Sequence, residues 1–408
     1  GRDLMVAVIG LPENIAKLEA IRKHNNGLVD GSVTDMNQPT IVWLSYNVHG
    51  NEPSSSEAAL LTLFALVDPA NTNTKEWLKN TIVMIDPCIN PDGRDRYVNW
   101  YNNAVGTSYN ADPSSREHME PWPAGRSNHY NFDLNRDWAW QTQKETQQRI
   151  PLYQQWYPQV HVDFHEQGYN QPYYFAPAAE PLHDVLTPWQ KDFQVQIGKN
   201  HAKYFDQNNW LFFTKERFDL LYPSYGDSYP MYNGAIGMTY EQGGSGGAGV
   251  LVLQNSGDLL SLEQRIENHV SSSFEALFTS ARLSSDLVNQ MSEFFELNRT
   301  KPSGRFHAYH IPVSEDNISR TQSLVSFLAK HNIRCEAVLE NTRISQAWEY
   351  GIGDTRSIVA KKGDLLINAH QTHSGILNVL FDPDPFLSDS LTYDITTWSV
   401  PYAYGLRT

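Results

Sequence analysis

The sequence predicts an α/β protein built around an open sheet. Runs rich in β-branched and aromatic residues, typical of buried strands, occur at 40–48, 81–90, 159–168 and 235–244. The first run, TIVWLSYNV, leads into Pro53 and the helical pattern EAALLTLFALV. Polar residues follow these strands at their ends. In an α/β sheet, ligand-binding sites form at the edge where the carboxyl ends of the strands lie.

Other segments fill in the order of elements around these strands. Residues 6–27 predict a strand, a turn and a helix that ends at Gly27. Asn90-Pro91-Asp92-Gly93 is a turn signal, and residues 94–130, rich in Asn, Tyr, Trp, Pro and Gly, predict a long ordered loop. Residues 261–297 have a helical, amphipathic pattern.

The length of 408 residues predicts a large catalytic domain and a smaller module. The turn-forming run Lys301-Pro302-Ser303-Gly304 places the boundary between residues 1–300 and residues 301–408. The second part begins with a β-α-β pattern and predicts a small α/β module whose role the sequence does not indicate. Its scattered histidines are interpreted as surface or packing residues: His307, His310, His370 and His373.

Composition excludes several classes of partner. A net charge of −15 argues against nucleic acid and against an anionic membrane surface. No run reaches the roughly 18 apolar residues of a transmembrane helix. The two cysteines, Cys88 and Cys335, are too few for a disulfide framework or a thiolate zinc site. The chain carries no signal peptide and is interpreted as a trimmed piece of a longer precursor, secreted or periplasmic.

Three strands end in residues able to bind a metal or move a proton. His49 and Glu52 lie three residues apart on the turn after the first strand, His165 ends another strand, and Glu241 ends a third. Two histidines and a carboxylate are the usual ligands of a catalytic zinc, whose fourth position holds water. A nearby carboxylate can take the proton of that water, and Glu241 is the candidate for this base.

Alternatives remain within the same motifs. Strand alternation puts His161, Asp163 and His165 on one face, and His165 is preferred as the ligand because it lies at the strand end. Glu166 is a further carboxylate at this position, and Glu241 could be only a solvated carboxylate.

The DLNRDW motif adds a possible anion site. Asn135 and Arg136 form a charged fork that suits bidentate binding of a substrate carboxylate. The alternative is a structural ion pair between Arg136 and Asp133 or Asp137. Asp133 could also accept the spare N–H of His49 and fix its tautomer.

In order along the chain, HGNE, NPDG, DLNRDW, DFHEQG and TYEQGG resemble the zinc carboxypeptidases of the carboxypeptidase A type. The resemblance covers about residues 3–295. It implies a mixed, largely parallel eight-stranded sheet with helices on both faces, and one zinc per chain at the carboxyl ends of the central strands.

The resemblance also implies roles for individual residues. His49, Glu52 and His165 would be the metal ligands, and Glu241 the general base. Asn135 and Arg136 would hold the free α-carboxylate of the substrate. The family has a mobile tyrosine before the catalytic glutamate, and YPSYGDS makes Tyr222 the first choice for it, with Tyr225 second.

The chain departs from the family pattern in two places. The family has an arginine shortly after NPDG that polarises the scissile carbonyl, whereas YVNWYNNAV has none beside Trp100. Four arginines could replace it from elsewhere: Arg94, Arg96, Arg116 and Arg126. The family's side-chain pocket falls near residues 228–232, where the bulky, neutral Tyr229 gives no sign of an acidic pocket for Lys or Arg.

Three functions are consistent with the sequence. The first is a zinc-dependent exopeptidase that releases C-terminal residues from peptides, including cell-wall peptides if the source is bacterial. The second keeps the metal site but cleaves N-acyl amino acids or other small amides with a free carboxylate. The third is a peptide-binding protein of the same fold that has lost turnover. Oligomeric state is not predicted.

Overall fold

A computed structural model describes residues 2–388, 392–394 and 398–408. The helices are α1 (Pro12–Ile15), α2 (Leu18–Asp30), α3 (Pro53–Val67), α4 (Thr72–Trp77), α5 (Pro91–Ala104), α6 (Lys144–Trp156), α7 (Pro188–Gln207), α8 (Ser228–Tyr232), α9 (Leu262–Arg282), α10 (Ser284–Thr300), α11 (Ile318–Ala329), α12 (Ser374–Phe381) and α13 (Val400–Ala403). Short 3-10 turns occur at Arg116–His118 and Leu134–Arg136.

The strands alternate with these helices along most of the chain. They are β1 (Ala7–Ile9), β2 (Thr40–Tyr46), β3 (Thr81–Asp86), β4 (Val160–Gly168), β5 (Tyr173–Tyr174), β6 (Ala179–Leu182), β7 (Phe212–Phe213), β8 (Asp219–Leu220), β9 (Ile236–Gly244), β10 (Leu251–Leu253), β11 (Leu259–Ser261), β12 (Ala308–Ile311), β13 (Glu336–Ala337), β14 (Thr342–Glu349), β15 (Asp354–Ala360) and β16 (Leu365–Asn368).

One large sheet organises the molecule, with strand order β1-β3-β2-β4-β9-β5-β7. The pairs from β3 through β2 and β4 to β9 are parallel, as is β5 with β7, while β1 and β9 have antiparallel neighbours in β3 and β5. The predicted mixed, largely parallel sheet is confirmed. Among the described residues it has seven strands instead of the eight expected.

Helices cover both faces of the sheet, and alternate residues of each strand face opposite ways. Ile41 and Trp43 of β2 belong to a core with residues of α2, α6 and α10, whereas Val42 and Leu44 belong to a core with residues of α3, α7 and α9. Strands buried on both faces explain the continuous apolar runs in the sequence. The carboxyl ends of β2, β4 and β9 therefore lie side by side at one edge of a sheet that is packed on both faces.

The C-terminal part packs directly against the rest of the chain. It contains a three-stranded sheet in the order β12-β16-β13 and the hairpin β14-β15. Phe294 and Phe295 of α10 share one buried cluster with Leu324 of α11 and Leu380 of α12. The boundary predicted at residue 301 lies within this continuous packing, and the division into two domains stays a prediction.

Two local predictions were wrong. The helix α2 continues through Gly27 and is followed by Gly31, whose φ of 82° suits glycine. Residues 91–104 form α5 instead of a loop: Asn90 caps its first turn and Pro91 starts it. The Asn-Pro-Asp-Gly sequence is thus a helix start, which the polar, aromatic composition of the following residues concealed.

No helix within the described ranges is long and apolar enough to cross a membrane.

Candidate active site

Two histidines and one glutamate converge at the carboxyl ends of β2 and β4. His49 Nδ1 lies 2.8 Å from Glu52 Oε1 and 3.2 Å from His165 Nδ1. His165 Nδ1 in turn lies 3.2 Å from Glu52 Oε2. One ligand atom of each residue lies within 4.8 Å of the others, and all three residues are buried. Two imidazole nitrogens and a carboxylate in this arrangement fit a zinc ion.

A second carboxylate touches the far nitrogen of each imidazole. Asp133 Oδ1 lies 3.1 Å from His49 Nε2, the contact expected from the sequence. Asp163 Oδ2 lies 3.0 Å from His165 Nε2. These contacts place the imidazole protons on Nε2 and leave both Nδ1 atoms free to bind a metal. Gly226 makes room for Asp163, because a Cβ there would lie 1.9 Å from Asp163 Oδ2.

The charges of the three ligands stabilise one another. Burial acts to raise the pKa of Glu52, but His49 and His165 hold it below its usual range. Burial acts to lower the pKa of His165, but Asp163 and Glu52 raise it well above its ordinary value. The metal-free cluster therefore holds a proton on His165 that a metal ion would have to displace.

Glu241 lies on β9 directly opposite His165 of β4. It lines the same cavity and is 8% exposed. Burial raises the pKa of Glu241 to about 8; His165 opposes this shift and Glu52 adds to it. A cation bound between the ligands would lower this pKa again by direct attraction. The arrangement gives a carboxyl group that exchanges a proton near neutral pH.

Glu166 faces away from the metal ligands. Its Oε1 accepts from the amide and hydroxyl of Ser54, and its Oε2 accepts from Arg265 Nη1 at 2.7 Å. On the neighbouring strand, β9 continues past Glu241 to Gly244. A Cβ at Gly244 would lie 1.9 Å from Glu166 Oε2. The glycine there serves close packing over a buried ion pair.

Arg126 is the arginine that reaches the ligand cluster. Its Nη1 lies 3.4 Å from His49 Nδ1 and 4.0 Å from Glu52 Oε1. Its Nε and Nη2 both donate to Asp133 Oδ2, at 3.1 and 2.8 Å, which fixes the guanidinium beside the ligands. The sequence named Arg126 as one of four candidates, and its separation of seven residues from Asp133 gave no signal of contact.

The other three candidates do not line the cavity. Arg94 pairs with Glu57, and Arg96 donates to backbone carbonyls of residues 124–128. Arg116 lies in the 3-10 turn Arg116–His118.

Asn135 and Arg136 both line the cavity. Asn135 Nδ2 lies 3.4 Å from His165 Nε2, and its Oδ1 accepts from the amide of Gly226 at 2.8 Å. Arg136 Nη1 lies 3.8 Å from Asp133 Oδ2, so the ion pair considered from the sequence is long. Its short contact is with Asp394, whose Oδ2 accepts from Arg136 Nε at 2.8 Å.

Tyr225, the second choice from the sequence, lines the cavity, and Tyr222 does not. The Tyr222 hydroxyl accepts from Trp140 Nε1 at 2.7 Å, and its side chain is buried in the core. The Tyr225 ring lies under the Arg136 guanidinium, 4.7 Å from its central carbon. Spacing alone could not separate two tyrosines three residues apart.

The cavity has a volume of about 460 Å³ and contains two acidic residues that the sequence analysis missed. Asp219 and Asp227 line it, whereas α8, where the side-chain pocket was expected, is buried in the core. Burial raises the pKa of Asp227 to about 6, with a bond from Thr239 acting against the shift. From the sequence, Tyr229 gave no sign of an acidic pocket, and the substrate preference was left open. The signal was available, since Asp227 immediately precedes α8.

Comparisons with known proteins were made for the whole chain. The family described as zinc carboxypeptidase matches residues 1–172. A curated carboxypeptidase E of Caenorhabditis elegans is 38% identical over 94 residues, which are 22% of this chain and 17% of that protein. The match thus spans about a sixth of the relative's length.

Solved structures of similar fold include a metallo-carboxypeptidase from Burkholderia cenocepacia. It is 14% identical with a TM-score of 0.46, and the match covers 69% of this chain and 62% of that one. Carboxypeptidase A from Helicoverpa armigera is 15% identical with a TM-score of 0.41, covering 70% and 66%. The resemblance that five sequence motifs indicated is confirmed: this chain is similar to the zinc carboxypeptidases, and residues 1–172 carry the match to that family.

Proposed function

We propose that this protein is a zinc-dependent metallocarboxypeptidase that releases C-terminal residues from peptides. The observation that carries the proposal is the meeting of three side-chain sets in one cavity: the ligands His49, Glu52 and His165, the carboxyl group of Glu241, and the guanidinium groups of Arg126 and Arg136. Metal ligands alone would fit many hydrolases, but the additional cations suit a substrate that carries a carboxylate and develops an oxyanion.

Each side chain has a role in this proposal. Zinc, held by His49, Glu52 and His165, would supply an activated water and polarise the scissile carbonyl. Glu241 takes a proton and returns it to the leaving amine. Arg126 donates N–H groups towards the oxygen that becomes negative.

Substrate positioning falls to the other side of the cavity. Asn135 and Arg136 bind the terminal carboxylate, and Tyr225 is proposed in place of Tyr222 as the tyrosine that contacts the substrate. Asp219 and Asp227 support a preference for a basic residue at the C-terminus, because a carboxylate on a cavity wall attracts a cationic side chain. With its pKa at about 6, Asp227 is ionised at neutral pH.

Of the alternatives, cleavage of N-acyl amino acids would use the same groups. Loss of turnover is less well supported, because Arg126 supplies the cation that the sequence motif lacked. A secreted or periplasmic location remains a prediction.

A direct test is zinc content together with hydrolysis of short peptides ending in Lys, Arg, Phe or Glu, each with a free and an amidated C-terminus. We expect one zinc per chain, chelator-sensitive release of single residues, and faster release of Lys and Arg. Equal cleavage of amidated peptides would contradict the exopeptidase assignment. Cleavage of N-acyl amino acids without release from peptides would favour the second function.

The role of Glu241 is tested by Glu241→Gln. We expect turnover to fall about 10²- to 10⁴-fold with zinc retained, because a positioned base contributes that much. The exposed Glu296 of α10 provides a matched control, Glu296→Gln, which should leave turnover unchanged. Full activity of Glu241→Gln would remove Glu241 as the base.

A further inference from the structure

A short C-terminal segment, residues 392–394, lies against the cavity beside the proposed carboxylate site. Oδ2 of Asp394 accepts from Arg136 Nε at 2.8 Å and from the Tyr225 hydroxyl at 2.9 Å. One carboxylate oxygen thus receives both donors. The side chains of Arg136 and Asp394 are 29% and 16% exposed, so the ion pair is accessible from solvent yet mostly covered.

The preceding residue contacts the opposite side of the same cavity. The backbone N–H of Tyr393 donates to Asp219 Oδ2 at 2.7 Å. The Tyr393 ring lines the cavity, with its centre 5.2 Å from that of Phe218 and 6.1 Å from that of Tyr225. Because Tyr393 is itself 45% exposed, it packs on the cavity without belonging to the buried core.

Described residues on either side attach this part of the chain to the protein. Ser388 Oγ donates to Glu180 Oε2 at 2.8 Å. Trp398 is buried, and its Nε1 donates to the carbonyl of Val379 in α12 at 2.9 Å. These attachments keep the 392–394 segment near the cavity when Asp394 leaves Arg136.

We propose that Asp394 is a built-in competitor for the substrate, whose carboxylate occupies the place of the substrate's own terminal carboxylate on Arg136 and Tyr225. This rests on the proposed function in assigning those two side chains to substrate binding. The C-terminal part of the chain would then set the affinity of the catalytic site, and a substrate binds only after displacing Asp394.

The competition follows from the chemistry of the two groups. The Nε–H of Arg136 and the O–H of Tyr225 both donate to Asp394, so neither can donate to a second carboxylate in the same place. Two carboxylates at one site also repel each other. A tethered ligand acts at an effective concentration in the millimolar range. Its removal should lower the Michaelis constant for substrates with a free C-terminus and leave the catalytic constant almost unchanged.

The kinetic test compares Asp394→Asn with Asp384→Asn, in which an exposed aspartate nearby is neutralised. For a free C-terminal Arg peptide, we expect Asp394→Asn to lower KM roughly two- to fivefold, as suits a partly exposed ion pair. Asp384→Asn should leave KM unchanged. In an Arg136→Ala background the effect of Asp394→Asn should become smaller, since only the Tyr225 hydroxyl is still shared. An unchanged or raised KM in Asp394→Asn would overturn the proposal.

A binding measurement separates this proposal from the proposed function. Calorimetry with N-acetylarginine and with its methyl ester, which lacks the carboxylate charge, measures binding without relying on peptide turnover. We expect Asp394→Asn to bind N-acetylarginine more tightly than wild type by the same factor, with little change for the ester. Tighter binding by a protein without peptidase activity would support the competitor and contradict the proposed function. Normal peptidase activity with equal binding by wild type and variant would support the proposed function and contradict the competitor.

Discussion

Asp163 shows how much of the site depends on a residue that touches neither substrate nor metal. It is fully buried, and its Oδ2 contacts His165 Nε2 at 3.0 Å. Burial acts to raise the pKa of Asp163, but the charge of His165 and its hydrogen bond lower it below the ordinary value. The carboxylate is thus ionised and orients the imidazole that we propose as a metal ligand.

Replacing Asp163 should weaken zinc binding in a graded way. We expect Asp163→Ala to lower zinc affinity about 10- to 100-fold, since partners of metal ligands typically contribute this much. Asp163→Asn should fall between this variant and wild type, because the amide oxygen still accepts from His165 while the charge is lost. Competition with a chromophoric chelator measures both.

The control for this series is Asp192→Asn, which neutralises an exposed aspartate on α7. If all three variants bind zinc as wild type does, Asp163 has no positioning role.

For single residues, the sequence predicts the site residues that lie at strand ends but not those that loops bring to the site. His49, Glu52, His165 and Glu241 follow or end strands, and their meeting was foreseeable from a parallel sheet. Arg126 comes from a long irregular segment, so its approach to His49 depends on a path that no local pattern describes. Asp163 was considered only as a ligand, although strand alternation already placed it beside His165 on one face.

At the scale of helices and strands, the residue that begins α5 also positions Arg126. The Asn90 side chain accepts from the amide of Gly93 at 2.9 Å, which caps α5. Its Nδ2 also donates to the carbonyl of Arg126 at 3.0 Å. One asparagine thus holds both the first turn of the helix and the loop that carries the arginine.

Two substitutions of Asn90 separate these roles. Asn90→Ala removes the cap and should lower the free energy of unfolding by about 1 kcal/mol. Asn90→Asp keeps the cap acceptor but loses the donor to Arg126, so it should lower the catalytic constant while retaining most of the stability. Chemical denaturation and peptide hydrolysis measure the two effects. Equal loss of stability in both variants would contradict this assignment.

The elements also show why part of the fold could be predicted and part could not. The strands β2, β3, β4 and β9 are buried on both faces, and their apolar runs are unmistakable. The start of α5 was mistaken for a turn because Asn, Pro, Asp and Gly are common to turns and to first turns of helices. The strands β5 and β7, at one side of the sheet, have two residues each and leave too little pattern to recognise.

For the whole molecule, buried histidines determine the response to acid. Burial lowers the pKa of five of them: to about 3 in His161, His269 and His331, and to about 4 in His201 and His373. The unfolded chain binds these protons near pH 6.5, whereas the folded chain binds them only well below that. Stability is therefore complete above pH 6.5 and is lost as the pH falls towards 4.

Several carboxyl groups act in the opposite sense, since their raised pKa values favour the folded state at lower pH; Asp227 and Glu241 are among them. Each histidine contributes up to about 1.4 kcal/mol per pH unit in its window, and these carboxyl groups offset part of that contribution. We expect the midpoint of thermal unfolding of the metal-free protein to fall between pH 6.5 and 4. A midpoint constant over this range would contradict the burial of neutral histidines.

Two of these histidines join the C-terminal part to α8 and to the end of α6. His331 Nδ1 lies 3.1 Å from the hydroxyl of Tyr229, and His373 Nε2 lies 3.3 Å from that of Tyr157. Phe294 and Phe295 contribute to the same buried cluster. Exchange of residues 301–408 by recombination would leave aromatic and imidazole groups without matching neighbours. An engineer who wishes to alter the proposed activity should therefore graft single loops instead of this whole C-terminal part.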